Sequence, residues 1–147
     1  MPIADFLAPA DVLVDVRAAN KGQLLKELAD RAAAAAGLDP AELSREILAR
    51  ENLGSTGIGK GIALPHARLN NVTKPFGLFA RLKRPIDFDA IDAQPVDLVF
   101  LLLLPLSSAQ DNPNALASVA RKLRDSVCLD CLRRADDAST LFRELVG

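Results

Sequence analysis

His66 is the only histidine in the chain. It follows Pro65 at the end of Gly54-Ser55-Thr56-Gly57-Ile58-Gly59-Lys60-Gly61-Ile62-Ala63-Leu64, a stretch that holds four of the eight glycines. Glycine accepts positive φ and lets another molecule come close to the backbone. Four of them in so short a run describe a shaped loop or a very tight connection. The stretch also places two hydroxyls, Ser55 and Thr56, and an arginine, Arg50, near the imidazole in sequence. A histidine carried at the end of an element, beside backbone N–H groups that can face an anion, is equipped to take and give a phosphoryl group.

Other chemistries fit the same residues less well. Gly54-x-x-x-x-Gly59-Lys60 has the Walker A spacing, but Gly61 stands where Ser or Thr should hold Mg²⁺. The expected flanks, a helix before and a strand after, are the reverse of a P-loop. Gly57-x-Gly59-x-Gly61 is not the dinucleotide fingerprint. From the residues alone, a purely structural turn and an anion cradle both stay open, and a lone histidine is also compatible with a hydrogen-bonded structural role. No metal site is expected, since there is no second histidine and Cys128 and Cys131 lie far along the chain. A Ser-His-Asp hydrolase is disfavoured because the Gly-x-Ser-x-Gly elbow is missing around Ser55. Cys128-x-x-Cys131 falls within a helical stretch that follows another helix, which points to core packing rather than redox chemistry. Arg121, Lys122, Arg124, Arg133 and Arg134 read as a solvated face, with a docking patch for an acidic partner as the competing reading. Asp87-Phe88-Asp89 reads as connection rather than as a metal site.

The elements that position these residues follow from periodicity and capping. A short strand is expected around Val12–Val16. A helix starts at Asn20, with Gln23 closing a capping box, and stops at Gly37. A second starts at Asp39-Pro40, with Glu42 at N3, buries Leu43, Ile47 and Leu48, and ends at Gly54. Arg50 therefore lies in the last helical turn, just before the glycine stretch. Gly61 to Leu64 reads as a short strand, and Phe76 to Leu82 as a half-buried strand closed by Lys83-Arg84-Pro85. Val96 to Leu104 is apolar apart from Asp97, as a central strand requires. Asn112-Pro113 is expected to cap and start a third helix. Two more follow, around Ser126–Arg134 and from about Asp137 to Val146. That order predicts a single α/β domain with a mixed sheet and helices packed on its faces.

Composition excludes several function classes. The 147 residues are half hydrophobic, and 18 basic residues against 19 acidic leave a net charge of −1. Neither nucleic acid nor membrane insertion is expected from that balance, and no Trp or Tyr offers a stacking platform. The longest apolar run, Leu98 to Leu104, is far short of the roughly 20 residues a spanning helix needs. The N-terminus has no basic segment followed by an apolar run, so a cytoplasmic protein is expected.

Arg50-Glu51-Asn52-Leu53-Gly54-Ser55-Thr56-Gly57-Ile58-Gly59-Lys60-Gly61-Ile62-Ala63-Leu64-Pro65-His66 resembles the type-2 enzyme IIA domain of the phosphotransferase system, the fructose/mannitol/nitrogen-regulatory group. Phe88 to Leu98 and Val119-Ala120-Arg121-Lys122-Leu123 are also similar to that family, and the resemblance spans nearly all of residues 1–147. The single-domain length and Ile86-Asp87-Phe88-Asp89-Ala90-Ile91-Asp92 point to its nitrogen-regulatory branch. The resemblance implies a mixed sheet of about five strands flanked by helices, and no cofactor. It implies that His66 is phosphorylated by an HPr-like phosphocarrier, with Arg50 helping to hold the phosphoryl group; Ser55, Thr56 and the glycine N–H groups, that of Gly57 among them, are expected to hold its oxygens. The expected role is a regulatory switch related to nitrogen or potassium, acting on target proteins. The alternatives are a IIA component that feeds the IIB domain of a fructose/mannitol-type permease, and a binding module that is never phosphorylated. Type-2 domains commonly carry a second histidine before Val-Ala-x-x-Leu. Asn114 occupies that position here, and its amide can donate a hydrogen bond but cannot carry a positive charge.

Overall fold

One strand, β6 (Val96–Pro105), organises the molecule. The computed structural model describes residues 1–106 and 111–147. Ahead of β6 come a 3₁₀ turn at Ile3–Asp5, β1 (Leu7–Val16), α1 (Lys21–Ala36), α2 (Pro40–Asn52), β2 (Gly57–Gly59), β3 (Ile62–Ala63), β4 (His66–Leu69) and β5 (Phe76–Ile86); α3 (Asp111–Arg124), α4 (Ser126–Arg134) and α5 (Ala138–Val146) follow. The sheet runs β1-β5-β6-β3-β2, with β4 also paired to β6. Contacts β1–β5, β3–β6 and β4–β6 are parallel, whereas β5–β6 and β2–β3 are antiparallel. The mixed α/β architecture is as expected, and the sheet has six strands, four of which the sequence places directly. The two unexpected ones, β2 and β4, are only three and four residues long and leave little period-two signal.

Helix ends follow the sequence signals. The Asn20 side chain accepts from the Gln23 N–H at 2.9 Å, and Gly37 ends α1 with φ 72°. Asp39 caps α2 by accepting from the Glu42 N–H at 3.2 Å, with Pro40 at the first helical position. Asp125 and Asp137 cap α4 and α5 in the same way. Asn112 is not the cap of α3. It lies inside the first turn, buried, and its Nδ2 donates to the Pro105 carbonyl at 2.7 Å, which ties α3 to the end of β6.

Successive residues of β6 feed two cores. Val99, Leu101 and Leu103 pack with Leu24, Leu25 and Leu28 of α1 and Leu43 and Ile47 of α2. Leu98, Phe100, Leu102 and Leu104 pack with Ala115, Val119 and Leu123 of α3 and the apolar stripes of α4 and α5. Helices thus cover both faces of the sheet. β5 is likewise buried on both faces rather than half-buried, because Phe79 fills the second core while Leu78, Ala80 and Leu82 fill the first. It also continues past Lys83-Arg84-Pro85 to Ile86. Pro85 is tolerated because it lies in the register shift between Arg81 and Ile86, where no ladder N–H is required.

The buried stripe of α2 departs from expectation in a way that matters for the site. Leu48 is 36% exposed, and the stripe instead runs Leu43, Ile47, Glu51, the last only 6% exposed. Spacing of four keeps these three on one face, so the helix delivers a carboxylate to the inside of the molecule. Cys128 is buried in the second core beside Leu129 and Leu132, and both cysteines are free thiols. Burial pushes the Cys128 thiol up, away from the reactive thiolate.

Candidate functional site

The glycine stretch folds as a hairpin. β2 and β3 pair Gly57 with Ala63 and Gly59 with Ile62, leaving Lys60-Gly61 as a two-residue turn. Both turn residues have positive φ, 59° and 78°, as the favoured I′ hairpin turn needs. The tip is pinned from two sides. Asp92 Oδ2 accepts the Lys60 N–H at 3.0 Å, and Arg133 Nη2 donates to the Lys60 carbonyl at 2.6 Å while its guanidinium pairs with Asp97 at 2.9 Å. Arg133 is therefore a clamp on the hairpin rather than part of a solvated face. Gly57 is required by packing, since a Cβ there would stand 2.8 Å from Ala90 Cβ.

The chain then leaves β3 at Leu64-Pro65 and re-enters the sheet as β4, with His66 opposite Leu102 of β6. Ala67 and Leu69 point into the first core. Alternation therefore turns His66 and Arg68 toward the face that carries α3. His66 is half-buried, and its Nδ1 lies 2.9 Å from the Leu64 carbonyl. A carbonyl can only accept, so Nδ1 carries the proton and the lone pair is on Nε2. Burial lowers the imidazole below its usual value. The Leu64 hydrogen bond works the other way, the guanidiniums of Arg50 and Arg68 add to the lowering, and the Glu51 carboxylate opposes it. The result is a ring biased toward its neutral form, with an Nε2 that has no hydrogen-bond partner among the described residues and with two arginines within electrostatic reach. Arg68 was not singled out from sequence, although its position two residues beyond His66 on a strand was enough to place both side chains on one face.

Arg50 closes α2, where its Nη1 donates to the Gly54 carbonyl at 3.0 Å. Ser55 Oγ donates to the Phe88 carbonyl at 2.7 Å and accepts from the Gly57 N–H at 3.1 Å. Thr56 turns both its N–H and its hydroxyl to the Glu51 carboxylate, at 2.8 Å each. The N–H groups of Thr56, Gly57 and Lys60 are thus bonded within the protein, so the stretch is less of an open cradle than its composition suggests. Asn114 is exposed on α3, on the same side of the sheet as His66, and its carbonyl accepts from Ser118 Oγ at 3.0 Å. Glu51 and its counter-ion Lys21, 3.3 Å away, are the residues that sequence reading passed over. Among the described residues no cluster of His, Cys, Asp and Glu could hold a metal, and no helix is long and apolar enough to cross a membrane.

Comparison with known proteins finds relatives over nearly the whole chain. The family model described as phosphoenolpyruvate-dependent sugar phosphotransferase system, EIIA 2, matches residues 5–146. A nitrogen regulatory protein of Bradyrhizobium diazoefficiens is 46% identical over 145 residues, covering 99% of this chain and 95% of that protein. A fructose-specific EIIA component of the phosphotransferase system from Haloferax volcanii is 34% identical over 124 residues, covering 84% of this chain and 80% of its own length. The crystal structure of the nitrogen regulatory protein IIA-Ntr from Neisseria meningitidis superposes with a TM-score of 0.92 at 31% identity, covering 97% of this chain and 98% of that one. With the family model spanning nearly every residue, the chain belongs to the EIIA 2 family of the phosphoenolpyruvate-dependent sugar phosphotransferase system.

Proposed function

We propose that His66 is the phosphorylated residue of a regulatory phosphoryl carrier. The observation that carries this reading is the Nδ1–H bond to Leu64, which leaves Nε2 without a hydrogen-bond partner among the described residues and within the field of Arg50 and Arg68. The donor is the phosphohistidine of an HPr-like carrier protein. The Nε2 lone pair attacks phosphorus in line, and the donor N–P bond breaks with its electrons returning to the donor ring. Each imidazole keeps the proton on its other nitrogen throughout, so no proton need move. Bond types are the same on both sides, and transfer is close to thermoneutral and reversible, as suits a switch that reports phosphoryl supply.

In this proposal Arg50 and Arg68 offset the charge of the phosphoryl oxygens, and Ser55, Thr56 and Gly57 wall the site. Leu53 and Ile91, 85% and 86% exposed, lie on the chain segments flanking the glycine hairpin and offer apolar contact to a protein donor. Regulation on the nitrogen side is supported by the named nitrogen regulatory relatives; a potassium-related target is part of the proposal without that support. Delivery to a permease IIB domain is the second reading, supported by the fructose-specific relative.

Incubation with a phosphorylated HPr-like carrier is expected to add one acid-labile, base-stable phosphate, absent in His66→Ala. Labelling that persists in His66→Ala overturns the proposal, and an unchanged intact mass in the wild type leaves the unphosphorylated binding module. Onward transfer to candidate permease IIB domains separates delivery from regulation.

A further inference from the structure

An ion pair followed by a run of hydrogen bonds links the start of α1 to the imidazole. Lys21 opens α1 with its Nζ 3.3 Å from Glu51 Oε1 and 4.7 Å from the centre of the Phe88 ring. Asp89 is a second, looser partner at 3.7 Å. Glu51 then takes the N–H of Thr56 at 2.8 Å and the Thr56 hydroxyl, which stands 2.8 Å from both carboxylate oxygens. The Thr56 carbonyl accepts the Leu64 N–H at 2.9 Å. The Leu64 carbonyl in turn accepts the Nδ1–H of His66 at 2.9 Å.

A buried ion pair is a poor device for stability alone, because desolvation offsets most of the attraction and apolar residues of similar volume commonly do as well. What the carboxylate does, and an apolar side chain would not, is fix one residue, Thr56, through its N–H and its hydroxyl at once. The carbonyl of Thr56 holds Leu64, and the carbonyl of Leu64 holds the ring. We infer that Glu51, neutralised by Lys21, is a positioning residue for His66: acting through Thr56 and Leu64, it holds the imidazole in the Nδ1–H tautomer with Nε2 presented for reaction. The inference rests on His66 being the reactive group. Its distinctive content is the tautomer, which can be read without any phosphoryl transfer.

The single histidine makes the measurement unambiguous, since a long-range ¹H–¹⁵N spectrum contains one imidazole. The wild-type protein at neutral pH is expected to show the Nδ1–H tautomer alone. Glu51→Leu, which removes both acceptors, is expected to show a mixture of tautomers. Uptake from a phosphorylated carrier should be at least about tenfold slower in kcat, with KM for the carrier unchanged, since misplacing a reacting group by an ångström is worth about that much or more. Glu51→Gln keeps one acceptor for the Thr56 N–H and is expected to fall between Glu51→Leu and the wild type. A purely structural Glu51 would lower the melting temperature of both variants and leave the tautomer of the folded molecules unmoved, and that result overturns the inference. Should Glu51→Leu fail to fold, Glu51→Gln decides: a pure Nδ1–H ring transferring at the wild-type rate overturns the inference, and a mixed ring supports it. A wild-type protein that takes up no phosphate at all defeats the proposed function, while the spectra still decide the role of Glu51.

Discussion

β6 is paired along one edge by a single long strand, β5, from Phe76↔Leu103 to Ile86↔Val96. Along its other edge it is paired by two short ones, β3 at Leu98 and Val99 and β4 from Leu102 to Pro105. The first edge contributes burial. The second is interrupted at Leu64-Pro65, where Pro65 has no N–H to offer and its carbonyl alone keeps contact with β6, accepting the Leu102 N–H at 3.0 Å. The interruption leaves the Leu64 carbonyl to the imidazole and brings His66 into the sheet at a position anchored on both sides. A broken ladder next to a fully covered strand gives a reactive side chain both access and a rigid support.

The largest expected effect tests whether the continuous edge serves stability alone. Phe79 of β5 is fully buried against Phe100, with ring centroids 6.2 Å apart. Phe79→Ala should destabilise the protein by about 3–5 kcal/mol, read by urea unfolding. The fraction that remains folded should take up phosphate at the wild-type rate. Slow uptake by that fraction would show that the two edges are not separable.

Two glycines sharpen the same contrast at smaller cost. A Cβ at Gly57 meets Ala90 at 2.8 Å, and one at Gly77 meets the Phe100 ring at 2.8 Å. Overpacking of this kind costs about 1–3 kcal/mol, so Gly57→Ala and Gly77→Ala should lose comparable stability in thermal melts. Only Gly57→Ala, on the interrupted edge, should also slow phosphoryl uptake per folded molecule. Equal slowing by Gly77→Ala would move the site's support to β5.

These contrasts also separate what could be read in the sequence from what could not. Asn20, Asp39 and Asp137 announce their helices because capping is local, involving a side chain and an N–H three residues on. The apolar β6 was legible because burial on both faces suppresses alternation. His66 and Arg50 were visible through a motif of unusual spacing. Lys21, Glu51 and Arg133 were not. Lys21 and Glu51 meet across 30 residues and Arg133 meets Asp97 across 36, and charges in a sequence look solvated until tertiary packing pairs them. Leu48 was misread for the same reason: the periodicity of α2 allows either Leu48 or Glu51 inside, and only the Lys21 and Thr56 contacts favour Glu51.

Asp97→Asn is expected to have a modest effect, confined to the hairpin tip. The Arg133–Asp97 pair is partly exposed, so its loss should cost no more than about 1 kcal/mol of global stability. Amide exchange at Gly59 to Ile62 should nonetheless accelerate relative to β5, because Arg133 also holds the Lys60 carbonyl. Unchanged exchange there would leave Asp92 as the sole anchor of the turn.

The smallest effect is the titration of His66. Its folded value lies below the ordinary one, chiefly through burial, with Arg50 and Arg68 adding to the shift. Between that depressed value and the ordinary one, about 6.5, the unfolded chain binds a proton that the folded protein refuses. Stability from this group is therefore fully present above about pH 6.5 and is lost as pH falls through the folded value. His66→Gln should flatten this part of the stability profile, while Phe79→Ala, on the other edge, should shift the profile downward without changing its slope. Uptake of phosphate should in turn persist below pH 6.5, because the folded ring stays neutral there. A profile that declines already from pH 7 would mean that the arginines and the burial around His66 do not protect its lone pair.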